Sequence, residues 1–550
     1  MKRYFIAIAA TALTGAVLFS SCSKKIDEAY SNPNADVRVP VEKLLPPIIS
    51  TMAANSAGHG VLNDARFVGK YVQYFLFCNS GGQYDQMGGT IGASDNAASL
   101  WRIHFYDIGQ NCNNMIKWGI EEGKPAYAGA GKAIFAWSWL TLSDYHGEVI
   151  NVNEAFNSSQ LTFTYGTQES VYNYVRQLCY EAINYLDQAG SGVNTNLAEG
   201  DAYFFGGDVT KWKKFVYGML ARSYNHLTNK STYNPDSVIY YCDKAMTANA
   251  DNASVKFAAT GISGNSNFFG PLRGNLGSTG IGTETAIRQS AYIANLMTGA
   301  NAAFPGVNDP RAIYLLRLNT NGTFKGVSPN KGQTVLAAND RPENFWGVSQ
   351  AAGVNNTAPG NDNNCRYVFR NGSEFPVMTA SEIMFMKAEA QFRSGDKPGA
   401  LNSYRTAISL NFDMLQDRFS TNVPAPNLLT SSIRDAFLSN ATIVPNVSNF
   451  TLTHIMLQKY IALYIHGVME TWVDMRRYHY TDLDANTGQQ VYRDFVVPSG
   501  SDLYINNGGK LVYRVRPRYN SEYVWNLNEL NRIGAGALDY HTKRCWFSEP

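Results

Sequence analysis

Three segments of this 550-residue chain repeat one helical pattern of small and medium side chains. In each segment the second residue follows the first by four positions and the third follows the second by three, which places all three on one face of a helix. The three sets are Val175, Cys179 and Ala182; Val238, Cys242 and Ala245; and Ala400, Tyr404 and Ala407. Each set follows an earlier apolar helix across a polar turn, so the pattern predicts stacked helix pairs.

The clearest copy of the pattern spans residues 387–408, KAEAQFRSGDKPGALNSYRTAI, and matches the tetratricopeptide repeat. Between about residues 250 and 375 the composition changes to Gly, Asn, Ser and Thr with scattered aromatic residues, which indicates little regular structure. The sequence therefore predicts an all-α-dominated fold of tetratricopeptide-like helix pairs, interrupted by one large irregular insertion.

The segment from Leu452 to Tyr480 is predicted to be one long helix. Its apolar residues recur at spacings of three and four, which gives it a broad face for a core. On another side, Glu470 and Asp474 lie within one turn of Arg476 and Arg477. We interpret these charges as a salt-bridged helix end at the surface.

The N-terminus has the layout of a lipoprotein signal. Two basic residues precede an apolar run from Phe5 to Phe19, and small residues lead to Cys22. The apolar run is shorter than the roughly 20 residues of a spanning helix. We predict a signal peptide over residues 1–21, lipidation of Cys22, an anchor and tether over residues 22–40, and one binding domain over residues 41–550.

Composition and motifs argue against several functions. With 46 basic and 44 acidic residues the net charge is +2, which offers no general attraction to nucleic acid. No HExxH, GxSxG or CxxC motif occurs. The six cysteines beyond Cys22 lie far apart and are predicted to be small core residues, and Asp362 is interpreted as part of a turn instead of a calcium loop. We predict no cofactor and no bound metal.

Several separate patches resemble the SusD/RagB family of bacterial outer-membrane nutrient-binding lipoproteins. The main patch lies near the C-terminus and comprises Gln458-Lys459, His466-Gly467, Glu470, Trp472, Asp474 and Arg476-Arg477. Others are Trp101, Tyr106, Ile108 and Asn111; Gly147-Glu148-Val149; Asn308-Asp309-Pro310-Arg311; and the tail from Arg516 to Asn528.

The resemblance implies a binding protein, not an enzyme, that is anchored to the outer membrane by lipid and faces the cell exterior. It implies capture of a nutrient oligomer for a SusC-like TonB-dependent transporter. An oligosaccharide is favoured as the ligand, and an oligopeptide is the close alternative. A surface glycoside hydrolase without a recognisable motif stays open as well, because the separation of its two carboxylates is set by the fold and not by sequence spacing.

The resemblance also places the ligand site where the Gly-rich loop Gly81–Gly92 meets the insertion. Tyr84 is the main candidate, because it is the one aromatic residue in a loop that offers few neighbours for a local core. Aromatic faces stack on sugar rings, and amide or guanidinium groups supply oriented hydrogen bonds. The predicted ligand-binding residues are Gln83, Tyr84, Phe268, Phe269, Arg273, Phe345 and Trp346.

Overall fold

The computed structural model describes residues 38–53, 67–80, 84–88, 99–258, 261–273, 276, 287–347, 362, 365–517 and 519–550. The predicted signal peptide, the lipidation residue Cys22 and nearly all of the tether lie outside these residues.

Helices dominate the regular structure, as the sequence predicts. In chain order they are α1 (Leu45–Met52), α2 (Gly69–Tyr71), α3 (Ser99–Arg102), α4 (Gln110–Glu121), α5 (Pro125–His146), α6 (Gln168–Gln188), α7 (Thr195–Gly200), α8 (Val209–Asn225), α9 (Pro235–Lys244), α10 (Ala291–Met297), α11 (Ala312–Leu315), α12 (Ala380–Arg393), α13 (Lys397–Phe419), α14 (Ser431–Leu438), α15 (Leu452–Leu463), α16 (Val468–Arg477), α17 (Asn520–Tyr523) and α18 (Leu527–Arg532). A π-helical stretch, Ile103–Gly109, joins α3 to α4.

Among the described residues the strands are short and form three antiparallel pairs. They are β1 (Phe75–Phe77), β2 (Val149–Ile150), β3 (Tyr165–Gly166), β4 (Ala253–Val255), β5 (Ile287–Gln289) and β6 (Phe375–Met378). β1 pairs with β5, β2 with β3, and β4 with β6. The β1–β5 pair ties the segment before the predicted loop to the insertion, with Phe75 opposite Gln289.

Three packed helix pairs carry the repeated pattern. α5 packs with α6, α8 with α9, and α12 with α13. All nine small and medium residues of the pattern are buried. Gly129 shows how close the helices lie, since a Cβ atom there would stand 2.7 Å from Leu186 Cγ on the partner helix. The prediction of paired helices is therefore confirmed.

Polar side chains mark where helices of these pairs begin. Thr167 accepts a hydrogen bond from the Ser170 N–H at the start of α6, at 3.2 Å. Asp396 accepts one from the Gly399 N–H at the start of α13, at 2.9 Å. Each cap satisfies a backbone donor that has no partner within its helix.

The segment from Leu452 to Tyr480 is two helices, so the prediction of one helix is wrong. α15 ends at Leu463 and α16 begins at Val468, with Ile465 between them at a φ of +82°. Gly467 makes the turn sterically feasible, because a Cβ atom on it would lie 2.5 Å from Leu463 Cδ2. Because of the break, the two halves of this apolar segment form helices that run in different directions through the core.

The charged residues of this segment are buried, so their interpretation as a surface helix end is also wrong. Arg477 donates to both carboxylate oxygens of Glu389 on α12, at 2.8 and 2.9 Å, and to Asp474 at 2.5 Å. Lys459 on α15 lies 2.7 Å from Asp474. All four side chains are 2% exposed or less. The pairing is needed, because a single unpaired charge at such depth costs several kcal/mol.

Glu470 extends this buried network to α8. Its carboxylate lies 3.2 Å from Arg222 Nε and 3.0 Å from His226 Nε2. Burial by itself would raise the pKa of Glu470, but His226, Arg222 and Lys459 hold that pKa well below its usual value. The network thus joins helices that are more than two hundred residues apart in the chain.

Candidate functional site

Four of the predicted ligand-binding residues come together, but in the core. Phe268, Phe269, Phe345 and Trp346 are each 1% exposed or less. The Phe75 ring packs against two of them, with its centroid 6.1 Å from that of Phe269 and 5.8 Å from that of Phe345. Trp346 Nε1–H donates to the Phe269 carbonyl oxygen at 2.9 Å. These side chains hold the insertion to β1 and leave no exposed ring face for a ligand.

The expectation that Tyr84 has few neighbours is wrong. Its side chain is 1% exposed, its ring centroid lies 5.2 Å from that of Tyr71, and the Lys70 ammonium lies 5.8 Å from the ring. Burial raises the pKa of the Tyr84 hydroxyl. Tyr71 and Lys70, which belong to the segment before β1, cover the Tyr84 ring. The composition of the loop gives no sign of this tertiary contact.

The other two predicted residues have different outcomes. Gln83 lies outside the described residues. Arg273 is half-buried and donates to the carbonyl oxygens of Gly264 at 3.1 Å and Ser266 at 3.3 Å, so it fastens its own loop. Burial lowers the pKa of Arg273.

An open cleft of about 360 Å³ lies beside the predicted location. It is bounded by the first turns of α10, the turn at residues 328–331 and the segment 494–502. A backbone bridge between Ser80 and Lys331 connects it to the start of the Gly-rich loop. We call it the insertion cleft, lined chiefly by Tyr292, Asn295, Ser328, Lys331, Asp494 and Asp502.

Hydrogen bonds between distant segments fix the walls of the insertion cleft. Gln73 Nε2 donates to the Val496 carbonyl oxygen at 2.7 Å. The Lys331 ammonium lies 2.6 Å from the Asp502 carboxylate. The Ala302 N–H donates to Asp494 at 2.7 Å. The walls therefore come from parts of the chain that are hundreds of residues apart, and they are held together before any ligand arrives.

Tyr292 forms the aromatic floor of the insertion cleft. Its ring packs edge-on against Tyr460 and Phe495, with centroids 5.3 and 5.2 Å away. The side chain is 6% exposed, and within the described part of the chain its hydroxyl has no hydrogen-bond partner. Burial raises the pKa of this hydroxyl well above its usual value, so it stays a donor. The hydroxyl oxygen itself has almost no exposed surface, so a ligand oxygen would satisfy it only after a small displacement of the cleft wall.

The rim of the insertion cleft is polar and open. Asn295, Ser328, Lys331, Asp494 and Ser499 are exposed and supply both donors and acceptors. Such a set can bind a ligand that is rich in hydroxyl or amide groups. Across the residues that the structure describes, no group of three or more His, Cys, Asp or Glu side chains is placed to hold a metal ion.

The sequence of residues 33–500 matches the SusD-like family that is described as starch-binding and associating with the outer membrane. This chain belongs to that family. The match covers most of the chain, including the helix pairs and the insertion cleft up to Ser499. No curated protein matches the sequence.

Solved structures share the fold of this SusD-like protein. A SusD homologue from Bacteroides uniformis has a TM-score of 0.68 and 18% identity, over 93% of this chain and 99% of the other. A SusD/RagB family protein from Bacteroides thetaiotaomicron has a TM-score of 0.66 and 17% identity, over 93% and 99%. A chitin-binding SusD homologue from Flavobacterium johnsoniae has a TM-score of 0.65 and 16% identity, over 92% and 98%. At these identities the likeness establishes the fold.

None of the predicted ligand-binding residues that the structure describes lines the insertion cleft of this SusD-like protein. Tyr292 and Asn295 lie in α10, directly after β5, where neither an unusual composition nor a motif marks them. Asp494 lies about two hundred residues further along the chain. Proximity of these side chains depends on the β1–β5 pair and on the segment 494–502, which no local pattern reveals.

Among the described helices, none is both long and apolar enough to span a bilayer.

Proposed function

We propose that this SusD-like protein captures an oligosaccharide at the outer surface of the outer membrane and delivers it to a SusC-like TonB-dependent transporter. The insertion cleft supports this proposal: it is open, about 360 Å³ in volume, polar at its rim and aromatic at its floor. Family membership supports the ligand class, since the family is described as starch-binding and one structural neighbour is a chitin-binding protein.

The chemistry of the insertion cleft suits sugar hydroxyls. The buried Tyr292 hydroxyl donates, the Asn295 amide donates and accepts, and the Asp494 carboxylate accepts. A site that is built to hydrogen-bond a hydroxyl discriminates against a ligand that lacks it, because its polar groups are then left unpaired. Binding without turnover is the activity that these groups support.

We propose two kinds of role for the seven residues predicted from the sequence. Gln83 and Arg273 stay proposed ligand contacts at the edge of the loop and the insertion. For Tyr84, Phe268, Phe269, Phe345 and Trp346 we propose a supporting role, since their burial removes the exposed faces on which that prediction depended.

Isothermal calorimetry on the mature protein tests the ligand and the cleft. Chitohexaose and maltohexaose serve as probes, and Tyr292→Phe removes a single hydroxyl group. We expect Tyr292→Phe to weaken binding about fivefold, because one hydrogen bond contributes about 1 kcal/mol. Tyr240→Phe, at an exposed tyrosine of α9, is the matched control and should bind like the native protein.

Two further outcomes would replace the proposal. Binding of a peptide library with no binding of either oligosaccharide would favour the oligopeptide alternative. Release of shorter sugars from the probes would show a hydrolase.

Anchoring through Cys22, with a signal peptide over residues 1–21 and a tether to residue 40, is part of the same proposal. Cys22→Ala should leave the protein unlipidated and release it from the membrane fraction, because a single acylated residue supplies the membrane affinity. Fractionation in cells that lack the transporter measures this, and continued pelleting of the variant with the outer membrane contradicts it.

The transporter partner is tested by co-purification from solubilised membranes at native expression. A stable complex should bury well over about 1,000 Å² in total. Recovery of the SusD-like protein alone, with no barrel protein attached, contradicts this part of the proposal.

A further inference from the structure

A second cleft shares no lining residue with the insertion cleft and exposes large aromatic rings. Its two adjoining compartments measure about 360 and 560 Å³ and share Gln160, Phe163, Trp525 and Asn526. Trp525 is 73% exposed and Tyr106 is 74% exposed. We call it the Trp525 cleft, lined chiefly by Tyr106, Phe156, Gln160, Glu522, Trp525 and Asn526.

The backbone around Trp525 is firmly held although its side chain is exposed. Trp525 lies in the turn between α17 and α18. The neighbouring Asn526 is 6% exposed, and its Nδ2 donates to the Phe163 carbonyl oxygen at 2.9 Å. This hydrogen bond connects the turn to the opposite wall of the cleft. The Tyr165 N–H donates to Glu529 at 2.5 Å, and Arg532 donates to the Tyr165 carbonyl oxygen at 3.0 Å. The indole is thus presented on a rigid frame, so little ordering is needed when a ligand binds.

The π-helical stretch Ile103–Gly109 builds the facing wall. The wider turn occurs just where Tyr106 is presented to the cleft. π-Helical turns are frequent at functional sites. Within the turn, a Cβ atom on Gly109 would lie 2.5 Å from the Phe156 ring, so Gly109 lets that ring pack into the wall. The aromatic surface of the cleft therefore depends on local backbone geometry as well as on residue type.

Most charges at the Trp525 cleft are already engaged inside the protein. Glu154 accepts hydrogen bonds from the N–H and the hydroxyl of Thr164, at 2.8 and 2.6 Å. Glu529 lies 2.6 Å from Arg532. The groups that remain toward the cleft include the neutral amides of Gln160 and Asn528. This favours an uncharged ligand over an ionic one.

Glu522 adds a fixed acceptor at the base of the Trp525 cleft. It is 3% exposed, and its Oε2 accepts hydrogen bonds from the Tyr165 hydroxyl at 2.8 Å and from Asn526 at 3.2 Å. A carboxylate has about four acceptor positions, so it can also take a hydrogen bond from a ligand hydroxyl. An apolar ring face and a buried acceptor are what one pyranose ring requires, since its C–H face stacks and its edge carries hydroxyls.

We propose that the Trp525 cleft is a second saccharide-binding site, distinct from the insertion cleft, in which a neutral glycan chain crosses the indole of Trp525 with sugar units in both compartments. Tyr106 stacks on one of those units, and Glu522 accepts a hydrogen bond from its edge. The choice of a glycan rests on the proposed function, whereas the location rests on the exposed rings and the held backbone.

The test measures binding of chitohexaose and maltohexaose to the mature native protein and to Trp525→Ala, Tyr106→Ala and Tyr240→Ala. Tyr240 is 53% exposed on α9 and is the matched control for loss of an exposed ring. Calorimetry gives the affinity and the number of bound chains, and the change of tryptophan fluorescence on binding reports contact with an indole. A thermal melt shows whether each variant is folded.

We expect Trp525→Ala to lose one site or to weaken it about fivefold or more, and Tyr106→Ala to act in the same direction. The fluorescence change should be reduced in Trp525→Ala, the melting temperature should be unchanged, and Tyr240→Ala should behave as the native protein. Tyr292→Phe in the insertion cleft should leave the fluorescence change intact.

Two results would overturn the site, and they are distinguishable. If the native protein binds an oligosaccharide and Trp525→Ala has the same affinity, stoichiometry and fluorescence change, the Trp525 cleft is not a saccharide site while the proposed function stands. If the native protein binds neither oligosaccharide, the proposed function fails and this site fails with it.

Discussion

Aromatic side chains in two regions of this SusD-like protein differ in their exposure to solvent. Phe75, Phe269, Phe345 and Trp346 lie in Gly- and Asn-rich surroundings or at a strand, and all are buried. Trp525 lies in an ordinary helix-to-helix turn and is 73% exposed. The composition of a loop therefore does not tell whether its aromatic residues face solvent. What decides exposure is whether a distant segment covers them.

The physical difference lies in what each group binds within the protein. Trp346 donates its indole N–H to the Phe269 carbonyl oxygen at 2.9 Å and packs where β1 joins the insertion. At the Trp525 cleft, Asn526 and Glu529 anchor the backbone, and the neighbouring indole is mostly exposed. The comparison predicts that ring removal costs stability in the first group and affinity in the second.

The largest expected effect is that of Trp346→Ala. It removes a fully buried ring and leaves the Phe269 carbonyl oxygen without its donor, so the free energy of unfolding should fall by about 4–5 kcal/mol. Denaturant unfolding of the mature protein measures it, with Trp525→Ala as the control, which should change stability by about 0.5 kcal/mol or less. An equal loss of stability in the two variants would contradict the distinction between the two groups of aromatic side chains.

Tyr84→Ala should be next, at about 3 kcal/mol, because the ring is enclosed by Tyr71 and Lys70. Tyr84→Phe should cost less than Tyr84→Ala, since the ring stays in place and the loss is limited to the hydroxyl's contacts with Gln73 and, at 3.5 Å, with the Tyr71 carbonyl oxygen. Thermal melts of both variants check this. Unchanged melting of Tyr84→Ala with weakened glycan binding would restore Tyr84 as a ligand contact.

Gly109→Ala should have an intermediate effect on stability, about 1–3 kcal/mol, because the added methyl group would overlap the His104 carbonyl oxygen and the Phe156 ring. The displaced ring lies in the wall of the Trp525 cleft, so glycan affinity should fall as well. Gly123→Ala is a useful contrast. No atom lies within 4 Å of a Cβ atom there, so the expected loss of stability comes from the backbone strain at its φ of +66°. Glycan affinity should be unchanged.

The smallest expected effect is that of Trp525→Phe. It keeps an aromatic face but reduces its area, so stability should be unchanged and the affinity of the Trp525 cleft should fall about twofold to threefold. Calorimetry beside Trp525→Ala ranks the two variants. A Phe variant as weak as the Ala variant would indicate that the indole acts by more than stacking.

Local patterns in the sequence are sufficient to predict the helical scaffold. The repeated steps of small residues, such as Val175, Cys179 and Ala182, span about two turns of helix. They predict helix pairs because close packing of neighbouring helices requires small side chains at that spacing. The caps at Thr167 and Asp396 are equally local. These features were predictable because each depends on residues that are near in the chain.

The burial of aromatic side chains, the pairing of charges and the two clefts depend on the tertiary structure. The break at Ile465 and the ion pairs of Arg477 depend on Glu389 and on the helices around α15 and α16. The insertion cleft needs Tyr292 beside Asp494. Exposure and proximity are set by contacts between residues hundreds of positions apart, and in a single sequence no local periodicity records which segment will cover another.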